Sequence, residues 1–300
     1  MFSKLEAKKS YILNMQDGKE RWSSKADVYK LRPNYSIKVA KEILKGVSIN
    51  SDINECNKKR EVLQQIKTSG REPIVVELGA GTGKFTKLLL ELGAEVYAIE
   101  PNPDMRGNLS SSYGINSNLH IIDDARAVAE QTGLADGMAD AVVVAQSFHW
   151  FDEDKCKAEF DRILKKGGKV SIIYNWFATK RSMAMREYHK LLRECATRPI
   201  SREDDMNSEF FGNFFGQYRK KAWQNDDYLD FDKILLLTES DHCTPIKGEV
   251  GYDFMCARLK EWFDKHQKNG FVKICYDTVL YEGSLGKNKK LKKEFSINNV

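Results

Sequence analysis

The chain has 300 residues, 41% of them hydrophobic and 30% charged, with a net charge of +5. That apolar content supports a packed core and argues against a disordered chain, and the longest unbroken apolar run, Ala141 to Ala145, falls far short of the roughly 20 residues a membrane-spanning helix needs. Most of the excess charge sits in the segment KNKKLKKE (287–294), so a broad basic face for nucleic acid is not expected.

The N-terminal MFSKLEAKKSYILNM has no apolar h-region, and a secretory signal is not expected. The six cysteines are Cys56, Cys156, Cys195, Cys243, Cys256 and Cys275, with no CxxC pair among them. This is ordinary usage for a reduced cytosolic protein, and no metal site is expected. A short helix is read near 24–30, and Pro33 breaks it. A second helix near 36–46 carries Ile37, Val39, Ala40, Ile43 and Leu44 at helical spacing. Residues 48–60 read as a polar connection, with a further helix near 58–68.

IVVEL (74–78) is a short apolar run before a glycine-rich stretch and reads as a buried strand. Lys84 to Leu92 reads as a helix capped by Gly93. Strands are expected at 95–100, 119–123 and 140–146. Asp152 opens a helix through Leu164, stopped by Gly167-Gly168, and 168–174 is a fifth strand. Strands alternating with helices give an α/β domain with a parallel sheet. After Asn175 the alternation stops. Residues 180–231 are polar and aromatic and read as helical in parts. KILLLTES (233–240), a helix near 250–267, and VKICYDTVLYEG (272–283) supply the remaining strands and helix, with a bulge near Asp277. The expected organisation is one domain over 1–300. Its parts are a lid (20–47), a core (72–176), a substrate cap (177–231), the remaining strands and helix (232–285) and a basic tail (286–300).

The strongest local signal is Glu77-Leu78-Gly79-Ala80-Gly81-Thr82-Gly83-Lys84, placed between a strand and a helix. Glycines there allow a sharp bend and close approach of a ligand, and open α/β sheets bind ligands beyond the carboxyl ends of their strands. A dinucleotide site wants GxGxxG, but Lys84 stands at the last position and the pattern is GxGxG. Glu100 follows Gly79 by 21 residues, at the next strand end. A carboxylate there can accept both hydroxyls of a ribose.

IVVELGAGTGKFTKLLLELGAEVYAIEPNPDM (74–105) is similar to the first two motifs of class I S-adenosylmethionine (AdoMet)-dependent methyltransferases. AQSFHWFDED (145–154) with EFDRILKKGGKVSIIYNW (159–176) resembles the type 11 group, related to the trans-aconitate methyltransferases. SKADVYKLRPNY (24–35) and YDTVLYEG (276–283) resemble that group's N-terminal signature and final strand. The resemblance implies a Rossmann-like, mostly parallel seven-stranded sheet with helices on both faces and an antiparallel last strand. An N-terminal lid and a helical insert after the fifth strand complete that fold. It implies AdoMet as cofactor, with Gly79, Ala80, Gly81 and Gly83 under its methionine part and Glu77 facing its ammonium. Glu100 would grip the ribose, Pro101 or Met105 would pack on adenine, and Asp124 or Ala129-Glu130 would meet the adenine edge. Gln146, at the end of the fourth strand, joins the cofactor set.

For the chemistry, His149 is either a general base, a hydrogen-bond donor to an acceptor carboxylate, or a histidine bonded to backbone. Trp150 is a pocket wall or a packing aromatic. Tyr29, Arg32 and Tyr35 surround Pro33, and Arg32 either pairs with a carboxylate of AdoMet or the acceptor, or caps a turn. The aromatics between 207 and 231 line an acceptor pocket or pack an insert. The expected function is methyl transfer to a small molecule, with O-methylation of a small carboxylic acid favoured by the resemblance. The rival readings are an RNA methyltransferase using the basic tail, a non-catalytic AdoMet-binding protein and, more distantly, an NAD oxidoreductase. No stable nucleic-acid partner and no membrane are expected, and the chain is read as a monomer or homodimer of the cytoplasm.

Overall fold

A computed structural model describes residues 32–47, 71–123, 127–198 and 206–285. The expected helices near 24–30 and 58–68, the basic tail, Tyr29 and Asp124 lie outside these residues. Seven strands form one sheet: β1 Ile74–Leu78, β2 Glu95–Ile99, β3 Leu119–Ile121, β4 Ala139–Ala145, β5 Leu164–Phe177, β6 Tyr218–Leu229 and β7 Val272–Gly283. Their order is β3-β2-β1-β4-β5-β7-β6. The first five are parallel, and β7 is antiparallel to both β5 and β6. The chain winds outward from β1 in one direction and then returns to place β4 on its other side. The crevice between the carboxyl ends of β1 and β4 is therefore a topological switch point, where such sheets hold ligands. β4 (ADAVVVA) is buried along its whole length, which is why its sequence is a continuous apolar run rather than an alternation.

Helices cover both faces: α1 Ile37–Val47, α2 Thr86–Glu91, α3 Pro103–Tyr113, α4 Glu153–Ile163, α5 Met183–Glu194, α6 Ser208–Phe215, α7 Phe231–Glu239 and α8 Tyr252–His266. The apolar stripe of α1 packs Val39, Ala40, Ile43 and Leu44 against Phe85, Leu89 and the near face of the sheet. α4 and α6 cover the opposite face through Phe160, Phe211 and Phe215. A third cluster joins α5, α7 and α8 under β7, around Tyr188, Ile234 and Leu259. No helix among the described residues is long and apolar enough to cross a membrane.

Several expectations are corrected here. KILLLTES is helix α7, whose cap Asp230 accepts from the Lys233 nitrogen. The missing strand is instead β6, inside the stretch read as helical. Its sequence YRKKAWQNDDYL is polar because β6 is an edge strand, paired on one side only and half exposed. β7 keeps continuous register with both neighbours, so there is no bulge at Asp277. α4 ends at Ile163, ahead of Gly167-Gly168, because Leu164 already pairs with Ala139. α3 was not read at all. Its apolar stripe is weak, but Asn102 caps it by accepting from Asp104 and Met105 nitrogens, and Pro103 takes the first helical position.

Candidate active site

Beyond β1 the chain bends through Gly79, Gly81 and Gly83 with φ of +66°, +58° and +87°, the left-handed region that glycine enters without steric cost. The Gly79 and Ala80 nitrogens both donate to the Ile99 carbonyl, at 2.8 and 3.2 Å, and so close the bend over the end of β2. A Cβ on Gly79 would stand 2.6 Å from Ser147 Oγ, and one on Gly83 would stand 2.5 Å from Leu109 Cδ1. Close approach of neighbouring chain requires glycine at both places, as well as the turn.

Glu100 lies against this bend. Its Oε2 accepts from the Gly81 nitrogen and its Oε1 from the Asn102 nitrogen, both at 2.8 Å. Burial raises its pKa, against the two N–H donors and the Arg106 charge. Glu77, 1% exposed, points its Oε2 at the Thr86 hydroxyl, 2.6 Å away. Burial pushes its pKa up to about 8, and the Glu100 charge adds to the rise. The structure thus brings Glu77, the glycines and Glu100 together. Met105 is buried in the first turn of α3, directly after Pro101 and the Asn102 cap. Ala129 is buried in the core beneath β1 and β2, and Glu130 Oε1 accepts from the Asp152 nitrogen at 2.8 Å.

On the other side of the crevice, Gln146 leaves β4 with φ +56°. Its nitrogen donates to the Ile173 carbonyl at 2.8 Å, and its Oε1 accepts from the Asn175 nitrogen at 2.9 Å. The next turn, Phe148–Trp150, is a short 3-10 helix. There the Tyr174 hydroxyl oxygen lies 3.1 Å from both the backbone nitrogen and Nδ1 of His149. His149 is buried and held at two points by β5. The Trp150 ring meets the edge of His242, at 5.6 Å between centroids.

A cavity of about 360 Å³ opens in front of these strand ends. Glu77, Gly79 and Ala80 form its floor, and Gln146, Asn175 and Trp176 form one side. Arg32, Pro33, Tyr35, the turn Asp241–Cys243 and His189 and Arg193 of α5 also line it. Arg32 Nη2 donates to the Ser240 carbonyl at 2.9 Å and lies 3.7 Å from Asp241. Burial alone would raise the pKa of Asp241. Arg32, His242 and the Cys243 thiol and nitrogen overrule it and hold the group at about 2. Lys84 donates to Asn34 Oδ1 at 3.2 Å. Burial and the neighbouring Lys87 lower its pKa to about 8.

Of the residues expected from the sequence, Arg32, Glu77, Gly79, Ala80 and Gln146 line the cavity, and His149 and Trp150 stand behind its wall. Sequence reasoning missed Trp176, His189, Arg193, Tyr276 and the Asp241-His242-Cys243 turn. They come from β5, α5, the turn after α7 and β7, and no local period marks them. The donor atoms of Asp241, His242 and Cys243 lie within 4.8 Å of one another, the spacing of a possible metal group. The guanidinium of Arg32 already supplies positive charge at Asp241. The indole nitrogen of Trp176 is buried with no hydrogen-bond partner among the described residues.

Comparison with known proteins bears on the family and the fold. A Methyltransferase domain matches residues 76–172, the segment from β1 through most of β5. An uncharacterized methyltransferase of Mycobacterium tuberculosis (strain ATCC 25618 / H37Rv) is 37% identical over 101 residues, 34% of this chain and 39% of that protein. The chain therefore spans about two fifths of the length of this relative. The structure of a putative type II methyltransferase from Anaeromyxobacter dehalogenans has the same fold, with a TM-score of 0.57 at 17% identity, covering 85% of this chain and 99% of that one. An uncharacterized methyltransferase-like protein of Schizosaccharomyces pombe is 34% identical over 219 residues, 69% of this chain and 80% of that protein. With the glycine bend and its carboxylate in the matched segment, this extended similarity means that the chain belongs to the methyltransferase family.

Proposed function

We propose that the protein transfers a methyl group from AdoMet to a small molecule, with a carboxylate oxygen of a small carboxylic acid as the acceptor atom, as in the trans-aconitate methyltransferases that the sequence resembles. The observation that carries this reading is the contact of Glu100 with the Gly81 nitrogen at 2.8 Å. It sets a carboxylate beside a glycine-rich bend at the carboxyl end of β1. At Gly79 and Gly83 a Cβ would run into Ser147 and Leu109, so the bend is packed tightly against its own neighbours. When bound, AdoMet supplies an electrophilic methyl on a positively charged sulfur.

In this reading Gly79, Ala80, Gly81 and Gly83 hold the methionine part, and Glu77 faces its ammonium. Glu100 accepts from the ribose hydroxyls. Pro101 and Met105 lie on the adenine side, with Asp124, Ala129 and Glu130 at its edge, and Gln146 closes the site toward β5. In-line displacement depends on positioning and exclusion of water, and a carboxylate acceptor has no proton to remove. His149 then orients the turn that carries Trp150, consistent with its tether to Tyr174. Arg32, which lines the cavity, faces the acceptor.

The test is a calorimetric titration with S-adenosylhomocysteine, then incubation with labelled AdoMet and a panel of mono-, di- and tricarboxylic acids. The expected outcome is binding in the first step and base-labile methyl esters in the second. Failure to bind S-adenosylhomocysteine overturns the reading. Labelled RNA in place of ester would move it to the rival substrate class.

A further inference from the structure

β6 is the outer strand of the sheet, and among the described residues it pairs with β7 alone. It runs 12 residues in unbroken register with β7 and contains no proline. Its outer side therefore offers a long row of backbone N–H and C=O groups to another strand. Proteins commonly blunt such an edge with lysines, a proline or a bulge. Here the charge is divided instead: Arg219, Lys220 and Lys221 stand at one end of the strand, and Asp226 and Asp227 at the other.

That division is self-complementary. Two copies of one strand that pair within a single sheet are related by a two-fold axis perpendicular to it, and so run antiparallel. Side chains alternate between the faces with period two, so the axis must pass beside a residue that faces its own copy. With Trp223 on the axis, Lys220 meets Asp226, Arg219 meets Asp227 and Tyr218 meets Tyr228, each contact occurring twice. With Gln224 on the axis only Lys221 meets an acid, Asp227. With Ala222 there no cation meets an acid.

Each charged contact in the Trp223 register joins a side chain already fixed within its own chain to one that forms no ion pair among the described residues. Asp226 is held by Arg181 and Lys273, and Arg219 by Glu42 and Glu282. Lys220 lies over the Tyr281 ring, 5.2 Å from its centroid, and Asp227 accepts from the Tyr228 nitrogen at 2.8 Å. Tyr228 is 62% exposed, and the same register covers it with Tyr218 of the other copy. Opposite charges and aromatic rings directly across from each other favour pairing, and like charges oppose it.

We propose that β6 is a self-association edge, on which two copies of this chain pair antiparallel about Trp223 and join their sheets into one. No β6 residue lines the cavity, so the proposal stands apart from the methyl-transfer reading.

The first test is sedimentation equilibrium of the full chain up to about 100 μM, where a complex of micromolar dissociation constant is saturated. A monomer–dimer equilibrium is expected. Lys220→Glu puts like charges opposite Asp226, and Asp227→Lys puts them opposite Arg219. Each should raise the dissociation constant at least fivefold, and Lys220→Arg should leave it within twofold. The second test reads the register without altering charge. Ala222→Cys and Gln224→Cys lie at exposed positions, directly across from each other in the dimer. Opposite Cα atoms there stand about 4.5–5.5 Å apart, within disulfide reach, whereas 222 and its own copy lie on the longer diagonal. Mild oxidation should link an equimolar mixture of the two variants and neither variant alone. Three results overturn the proposal: a monomer throughout the series, a dimer whose dissociation constant changes less than fivefold in both charge reversals, or a mixture that links no better than either variant alone.

Discussion

Gly79 shows how tightly the bend is drawn. Its φ of +66° costs an alanine about 1 kcal/mol, and the added Cβ would displace Ser147, whose hydroxyl donates to the Leu78 carbonyl at 3.0 Å. Gly79→Ala is expected to destabilise the fold by roughly 1–3 kcal/mol and to weaken S-adenosylhomocysteine binding more than tenfold. Melting curves and calorimetry check both effects. Glu77 makes a pH-dependent prediction. Its pKa rises from 4.5 in the free group to about 8 in the fold, so the folded state holds the proton more firmly than the unfolded state. Its contribution to stability is full below about pH 4.5 and is lost as pH rises toward 8. Glu77→Gln keeps an oxygen for Thr86 and removes this slope. Urea unfolding at pH 5 and pH 9 should show the variant gaining on the wild type at the higher pH by roughly 4 kcal/mol, about 1.4 kcal/mol for each pH unit between 5 and 8. Equal differences at the two pH values would contradict the buried, proton-holding carboxyl.

At the scale of elements, what the sequence disclosed depends on burial. β1, β2 and β4 were legible because both faces of the sheet are covered and each strand is mostly apolar, with a single acidic residue in each. α1 was legible from its period and α4 from its Asp152 cap. β6 was not, because an edge strand needs only one satisfied side and its polar sequence carries no alternation. Glu77, Gly79 and Ala80 of the cavity lining could be read because one strand–turn–helix unit supplies them. The rest of the lining could not, since Trp176, His189 and Asp241 meet only after β5, α5 and α7 have packed. The opposite ends of the strands also depend on one side chain. Asp140 accepts from Arg71 at 2.6 Å, from the Ile74 nitrogen at 2.9 Å and from Lys165 at 3.0 Å, tying the starts of β1, β4 and β5 together. Burial opposes its ionisation, but these donors hold its pKa below the ordinary 3.8. The stability it provides is present above that value and lost as pH falls through it. Asp140→Asn should cost about 1–3 kcal/mol near neutral pH. The gap to wild type should narrow in unfolding experiments below about pH 4. A gap that does not change with pH would show that the charge is not what ties these strands.

Over the whole molecule, the sheet divides the core into a face under α1 and α2, a face under α4 and α6, and a helical layer of α5, α7 and α8 beside β7. The cavity touches parts of each region: Phe85 and Ala80 from the first, Trp176 from the second, Leu192 and Tyr276 from the third. A ligand filling it should therefore stabilise the fold as a whole. S-adenosylhomocysteine at a hundred times its dissociation constant adds about 2.7 kcal/mol. Melting should move up by roughly 5 °C or more in a single transition. A transition that splits, with one part unmoved, would show that the α5–α7–α8 layer unfolds separately. The two acidic side chains beneath the bend carry a last consequence. An ammonium group arriving beside the protonated Glu77 turns the acid into its salt, and the displaced hydrogen ion must go to the solvent. Near neutral pH the heat of association should then vary with the ionisation enthalpy of the buffer.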